Sequence, residues 1–186
     1  MNSIEKIRQE LFDLLRSEAY FEGRFTLSSG KQSDFYLDCR RVTLSSQGVY
    51  LCSLLILNLI KQDQDIVAVG GPTIGADPLV GAITVLSLIN HNRPLKSFLV
   101  RKSAKEHGLQ RQIEGPVLDA GSHVVLIDDV ATTGNSLIDC INVLKDKEII
   151  VDKVIVIVDR EEGARDKLEA IGCPFYSIFS IRDFRK

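Results

Sequence analysis

Apolar positions along this chain fall into two rhythms. Residues 3 to 19 place Ile4, Ile7, Leu11, Leu14 and Leu15 at helical spacing, with charges between them, and predict an amphipathic helix. The segment FTLSSGKQSDFYLDCRRVTL that follows is polar, with a short extended stretch at FYLD. Ser45 or Ser46 caps the next helix, which is predicted to run to about Lys61 through the apolar run VYLCSLLILNLI. An alternation then sets in. DIVAVGG (65 to 71), KSFLVRK (96 to 102), HVVLIDD (123 to 129), DKVIVIVD (152 to 159) and PFYSIFSI (174 to 181) read as strands. The stretches between them read as helices: ADPLVGAITVLSLINH, the segment after Asp129 to about Lys147, and EEGARDKLEAIG. Continuous apolar strands alternating with helices predict an α/β fold, a central parallel sheet with helices on both faces. No internal repeat, low-complexity segment or linker divides the chain, so residues 1–186 are expected to form one domain.

Composition narrows the function classes. Hydrophobic residues make up 45% of the chain and charged residues 26%, which suits a globular protein. A net charge of −2 and a pI near 5.9 give no basic field for nucleic acid or anionic lipid. Neither partner is expected, and any phosphate must be held by a local arrangement. Cys39, Cys52, Cys140 and Cys173 form no C-x-x-C pair and lie in or beside apolar runs, as small hydrophobes of a reduced interior do. The start MNSIEKIRQELFDLL mixes charges at helical spacing, unlike a signal peptide. The run VYLCSLLILNLI is too short to span a bilayer and is broken by Ser53 and Asn58. A cytoplasmic location is the expectation.

In sheets of this kind ligands bind beyond the carboxyl ends of the strands. Those ends carry GGPTIG, RKSAKEHGLQRQ, DDVATTGNS and DREEG, all polar, glycine-bearing or charged. In the third, Thr132, Thr133 and Gly134 make a tight turn into a helix. Small residues let backbone N–H groups close on an anion, and the helix N-terminus adds partial positive charge. Asp128 and Asp129 would repel a phosphate beside them, so they suit vicinal hydroxyls or a centre that becomes positive. The run is neither a Walker A loop, which needs Gly-Lys-Ser/Thr, nor a G-x-G-x-x-G fingerprint. GGPTIGADPL offers a second anion loop through exposed N–H groups. VRKSAKEHGLQRQIEG carries Arg101, Lys102, Lys105, Arg111 and His107 with no apolar periodicity between Lys102 and Ile113. It reads as a cationic flap able to exclude water and neutralise a leaving group.

IDDVATTGNS resembles the phosphoribosyl diphosphate (PRPP) motif of the type I phosphoribosyltransferases. The resemblance implies that Asp128 and Asp129 contact the ribose hydroxyls. It implies that Val130, Ala131, Thr132, Thr133, Gly134, Asn135 and Ser136 also bind PRPP, the loop from Ala131 onward holding the 5′-phosphate. It makes GGPTIG the pyrophosphate loop. Over the whole chain the similarity is to the orotate phosphoribosyltransferases, through three stretches. FTLSSGKQSDFYLDCRR looks like the hood over the base, formed largely by residues 1–45. RKSAKEHG looks like the catalytic loop, and VDREEGA like the strand exit whose arginine faces orotate. The implied reaction is orotate plus PRPP giving orotidine 5′-monophosphate and diphosphate, on the way to UMP. Lys105, Asp128 and Asp129 are implied as catalytic. Arg101, Lys102, Lys105 and His107 are implied to hold diphosphate. Thr132, Arg160, Phe35 and Tyr36 fall at the base. Mg²⁺ is implied as the cofactor, carried by the diphosphate with no direct protein ligand. A homodimer in which loop 103–115 reaches the partner's site is implied as well. Where many relatives carry lysine before the hood's serine-glycine and in the pyrophosphate loop, this chain has Ser28 and Gly75.

The chemistry supports the choice of base, because orotate is an anion and a fixed guanidinium binds a carboxylate through two N–H groups. Two alternatives stand beside it. One is transfer to another base, for which Arg160 would be dispensable. The other is a non-catalytic PRPP-binding regulator, which would keep IDDVATTG and could lose the cationic loop that is present here.

Overall fold

The structure is a computed structural model and describes residues 3–26, 30, 32–102 and 112–185. Lys105 and His107 lie outside the described residues, as do Ser28, Lys31 and Arg111.

The amphipathic N-terminal segment forms α1 (Ser3–Glu18), which buries Leu11 and Leu15. A hairpin follows, β1 (Tyr20–Thr26) paired antiparallel with β2 (Gln32–Leu37). The extended stretch expected at FYLD is thus one arm of a hairpin whose other arm was not foreseen. Most of β1 is exposed, so no strong alternation marked it. A single turn, α2 (Arg40–Thr43), leads to α3 (Ser46–Ile60). Ser45 caps α3, its Oγ accepting from the Gly48 N–H at 3.0 Å.

The α/β portion runs β3 (Ile66–Pro72), α4 (Asp77–His91), β4 (Lys96–Val100), β5 (Ile113–Glu114), β6 (His123–Ala131), α5 (Asn135–Lys145), β7 (Ile150–Asp159), α6 (Ala164–Ala170), β8 (Phe175–Ser180) and α7 (Ile181–Phe184). Among the described residues the main sheet has the order β5-β4-β3-β6-β7-β8. All its pairings are parallel except that of the edge strand β5 with β4. Successive residues of the central strands feed opposite faces. Val125, Ile127, Ile155 and Ile157 pack with α1, α3 and α4, whereas Val124, Leu126, Val154 and Val156 pack with α5 and α6. Sixteen side chains on one face and a larger set on the other thereby leave both faces of the sheet dry.

Two boundaries differ from expectation. β6 continues through Ala131, and Val130 and Ala131 pair with Val158 and Asp159 of β7. Apolar residues at 130 and 131 keep the chain in the sheet past the acid pair, so the loop shrinks to Thr132–Gly134. The cationic segment also ends earlier than 115. Ile113 and Glu114 pair with Val100 and Leu99 of the same chain, and the Arg101 N–H donates to Gln112 O at 2.9 Å. The far end of loop 103–115 therefore belongs to this chain's own sheet and cannot cross to a partner.

The connection out of β3 runs toward β4, and the connection out of β6 runs toward β7. The direction of winding reverses between β3 and β6, which opens a crevice at their carboxyl ends.

Candidate active site

Pairing between β3 and β6 ends at Gly70 with Leu126, while β6 and β7 stay paired five residues longer. One side of β6 is therefore open at Asp128 and Asp129. Each carboxylate turns back on the next backbone N–H. Asp128 Oδ1 accepts from the Asp129 N–H at 2.9 Å, and Asp129 Oδ1 accepts from the Val130 N–H at 2.8 Å. Both lean over Gly75 in the turn after β3. A Cβ at position 75 would stand 2.1 Å from Asp128 Oδ1 and 2.5 Å from Asp129 Oδ1, so only glycine leaves the pair undisturbed. That is a physical reason for glycine at 75.

Burial pushes the Asp128 carboxyl well above the ordinary carboxylate range, and the charge of Asp129 adds to the push. Asp129 is also raised by burial, against the Val130 N–H, Asp128 and Arg40, which favour its ionised form. Without a ligand the pair is poorly compensated. Hydroxyl donors, or a centre becoming positive, would stabilise it.

The cleft over this pair has a volume of about 240 Å³. Its walls include Thr73, Ile74 and Gly75 from the β3 exit, Lys102 from the β4 exit, and Ser136 from α5. Arg40 completes the wall from the hood side. Sequence reasoning did not assign Arg40 a role. Its signal was the spacing of Asp38 and Arg40 just after a strand.

The turn after β6 delivers the start of α5 to the same crevice. Gly134 has φ of 77°, and a Cβ there would meet Ala164 Cα at 3.0 Å. Glycine thus permits both the left-handed turn and close approach to α6. No side chain caps α5, so its first N–H groups remain open to an anion. Thr133, Asn135 and Ser136 are exposed around them. The Asn135 Oδ1 accepts from Lys167 Nζ at 2.9 Å, a cation that no motif singles out.

Not every expected residue meets this arrangement. Val130 is packed against the core, and Ala131 is buried. Only their backbones reach the loop. Arg101 turns toward Glu114, with Nη1 at 3.8 Å from Oε1. It lines a neighbouring cavity of about 550 Å³ beside α5 and is absent from the wall of the acid-pair cleft. Lys102 borders both spaces.

At the next strand exit the Arg160 N–H donates to Ala131 O at 2.9 Å, which fixes Arg160 beside Thr132. Its side chain is 12% exposed and pairs with Glu162 at 2.9 Å. The guanidinium carbon lies 5.1 Å from the centre of the Phe35 ring, while Nε is buried without a partner. An ionised donor left unpaired away from water is costly, and an anionic acceptor would offset that cost. Phe35 is buried and stacks on Tyr20, with ring centres 5.9 Å apart. Tyr36 projects from the opposite face of β2, is exposed, and lies against Phe25 at 5.6 Å. Within this chain the two side chains therefore leave β2 on opposite faces. Adjacent strand residues point to opposite faces, so only Phe35 shares its face of β2 with the Arg160 guanidinium.

Among the described residues no cluster of three His, Cys, Asp or Glu side chains is placed to hold a metal. Nor is any helix there long and apolar enough to cross a membrane.

A sheet that reverses at β3 and β6, with carboxylates and an uncapped helix at the reversal, defines the class: a phosphoribosyltransferase of type I. Residues 51–179 match the family described as the phosphoribosyl transferase domain. The similarity to particular members runs nearly end to end. An orotate phosphoribosyltransferase of Thermosynechococcus vestitus is 44% identical over 182 residues, covering 97% of this chain and 94% of that one. One from Nostoc sp. is 40% identical over 183 residues, covering 98% of this chain and 87% of that protein. The crystal structure of the Mycobacterium tuberculosis orotate phosphoribosyltransferase in complex with 5-phospho-α-D-ribosyl 1-diphosphate superposes with a TM-score of 0.80 at 34% identity, covering 97% of this chain and 99% of that one. The chain belongs to the orotate phosphoribosyltransferases.

Proposed function

We propose that this enzyme transfers the 5-phosphoribosyl group of PRPP to orotate and releases diphosphate, forming orotidine 5′-monophosphate for UMP synthesis. The observation that carries the choice of base is the backbone bond from Arg160 to Ala131. It fixes a half-paired guanidinium one residue from the phosphoribosyl loop. A carboxylate on the incoming base would be met there.

The bond from C1′ to the diphosphate oxygen breaks while a bond from C1′ to the ring nitrogen of orotate forms, and that nitrogen's proton is given up. Positive charge grows on the ribose as the leaving group departs. Asp128 and Asp129 hold the ribose hydroxyls and lower the energy of that charge. The open N–H groups of α5, with Thr132, Thr133 and Ser136, hold the 5′-phosphate. The Thr73–Gly75 turn and Lys102 receive the diphosphate. Lys105 and His107 neutralise the departing group from the segment outside the described residues. Mg²⁺ would be carried by the diphosphate with no direct protein ligand, and would supply further neutralisation of the leaving group. The reading takes the protein to be cytoplasmic and homodimeric, with Lys105 of one subunit serving the other's site. The mycobacterial relative solved with PRPP supports the substrate assignment.

The test follows orotate absorbance with PRPP and Mg²⁺, with uracil and hypoxanthine in parallel. Turnover of orotate that requires both PRPP and metal is the expected result. Arg160→Ala is expected to raise the KM for orotate by roughly tenfold or more while changing that for PRPP far less. Equal loss on uracil, or no loss on orotate, would assign the site to another base.

A further inference from the structure

Resting on that reading of the cleft, we infer that Arg40 is a diphosphate-binding residue and that Asp38 is the positioning residue that aims it. Three observations carry this. Arg40 stands in the wall of the 240 Å³ cleft together with Thr73, Ile74, Gly75 and Lys102, the groups that receive the diphosphate. Its direction is fixed. Nε donates to Asp38 Oδ1 at 2.7 Å, one Nη donates to Asp38 Oδ2 at 3.1 Å, and the Arg40 N–H reaches the same Oδ1 at 3.2 Å. This two-point grip leaves the second Nη with no hydrogen-bond partner among the described residues, and the Arg40 side chain is half exposed.

Charge balance gives the grip a purpose. The floor of the cleft holds two carboxylates, and the turn from Thr73 to Gly75 contributes no cation. Glycine at 75 leaves the acid pair in place, since a Cβ there would meet both carboxylates unless they shifted. A diphosphate entering over two carboxylates needs cations from other walls. Among the described residues the cleft offers Lys102 on one side and Arg40 on the other. The effect of Arg40 already reaches the floor, since it favours the ionised form of Asp129 against burial. The hood thus does more than cover the base. Through Asp38 and Arg40, just past β2, it closes the diphosphate side of the cleft with a planar donor suited to phosphate oxygens.

The test measures binding of inorganic diphosphate with Mg²⁺ by calorimetry, and initial rates with PRPP and orotate varied separately. It uses the full chain, Arg40→Ala, Arg40→Lys and Asp38→Asn. Arg40→Ala is expected to weaken diphosphate and to raise the KM for PRPP by about tenfold to a hundredfold, with the KM for orotate changed less than about twofold. Arg40→Lys should recover part of the loss, because a point cation remains without the fork. Asp38→Asn should produce a smaller loss with the same PRPP selectivity. Diphosphate affinity of Arg40→Ala within about twofold of the parent would overturn the inference. So would equal losses for PRPP and orotate, which would mark a merely structural role. Diphosphate binding needs no orotate, so a parent enzyme that binds diphosphate but does not turn over orotate would overturn the choice of base and leave the Arg40 result readable.

Discussion

Asp128 is a buried carboxyl beside another carboxyl, and ionising it in the ligand-free protein is costly. Its proton affinity is raised in the folded state above the ordinary value of 3.8, chiefly by burial. Over that window the native state binds more protons than the unfolded chain, so stability falls as pH rises through it. Asp128→Asn keeps an acceptor for the Asp129 N–H and removes the charge. The variant is expected to melt about 2–4 °C higher than the parent near neutral pH, a gain of roughly 1 kcal/mol. The gain should shrink as the pH is lowered toward about 4, where the parent carboxyl is protonated too. Turnover should fall by orders of magnitude at the same time. Scanning calorimetry across pH checks the first part and the orotate assay the second. A melting point unchanged or lowered near neutral pH would contradict the account of the pair as strained by burial. The acid pair itself was legible in the sequence, because two adjacent carboxylates after four apolar residues have few structural uses. Their shared lean over Gly75 was not. It depends on where the pairing of β3 with β6 stops, and that is a matter of register between segments more than fifty residues apart.

At the scale of elements, the approach of α5 to α6 rests on Gly134. A side chain there is strained by the left-handed backbone and also meets Ala164. Gly134→Ala is expected to cost about 1–2 kcal/mol and to weaken PRPP binding more than orotate binding, because the turn that opens the α5 N-terminus is displaced. Chemical denaturation and the KM for each substrate check this. The same scale shows why strands were easier to foresee than the hood. β3, β6 and β7 are buried on both faces over most of their length, and all five parallel strands read as largely apolar runs. β1 carries Glu22, Gly23 and Arg24 in its exposed middle, and its partner β2 starts with the polar run Gln32, Ser33 and Asp34. The hairpin is held by aromatic contacts such as Tyr20 with Phe35 and Phe25 with Tyr36, which no local period announces.

At the scale of the whole molecule, the proposed dimer makes each site a product of two chains. Lys105 would come from one subunit, and Asp128 from the other. Homodimers of Lys105→Ala and of Asp128→Asn should each be nearly inactive. After subunit exchange, half the molecules are mixed, and one of their two sites is intact, so about one quarter of parental activity should return. Activity that stays at the level of the single variants after exchange would mean that Lys105 serves its own chain. The tether of Gln112, Ile113 and Glu114 to β4 limits what such a crossing can involve, because that end of the segment stays on its own sheet.

What the sequence determined by itself was local and compositional. Apolar runs gave five parallel strands and the helices between them. The turn chemistry of DDVATTGNS gave a tight turn into a helix start, and the near-neutral charge pointed away from bulk electrostatics. These follow from short-range physics: periodicity, small residues in turns, carboxylates that must face something. Only the tertiary structure decided which strand exits share a crevice, since strand order is set by packing over long separations. It placed Arg40 from the hood at the cleft and turned Arg101 away toward Glu114. It set Phe35 and Tyr36 on opposite faces of one strand. It also folded two carboxylates over position 75, into the space that a side chain there would enter.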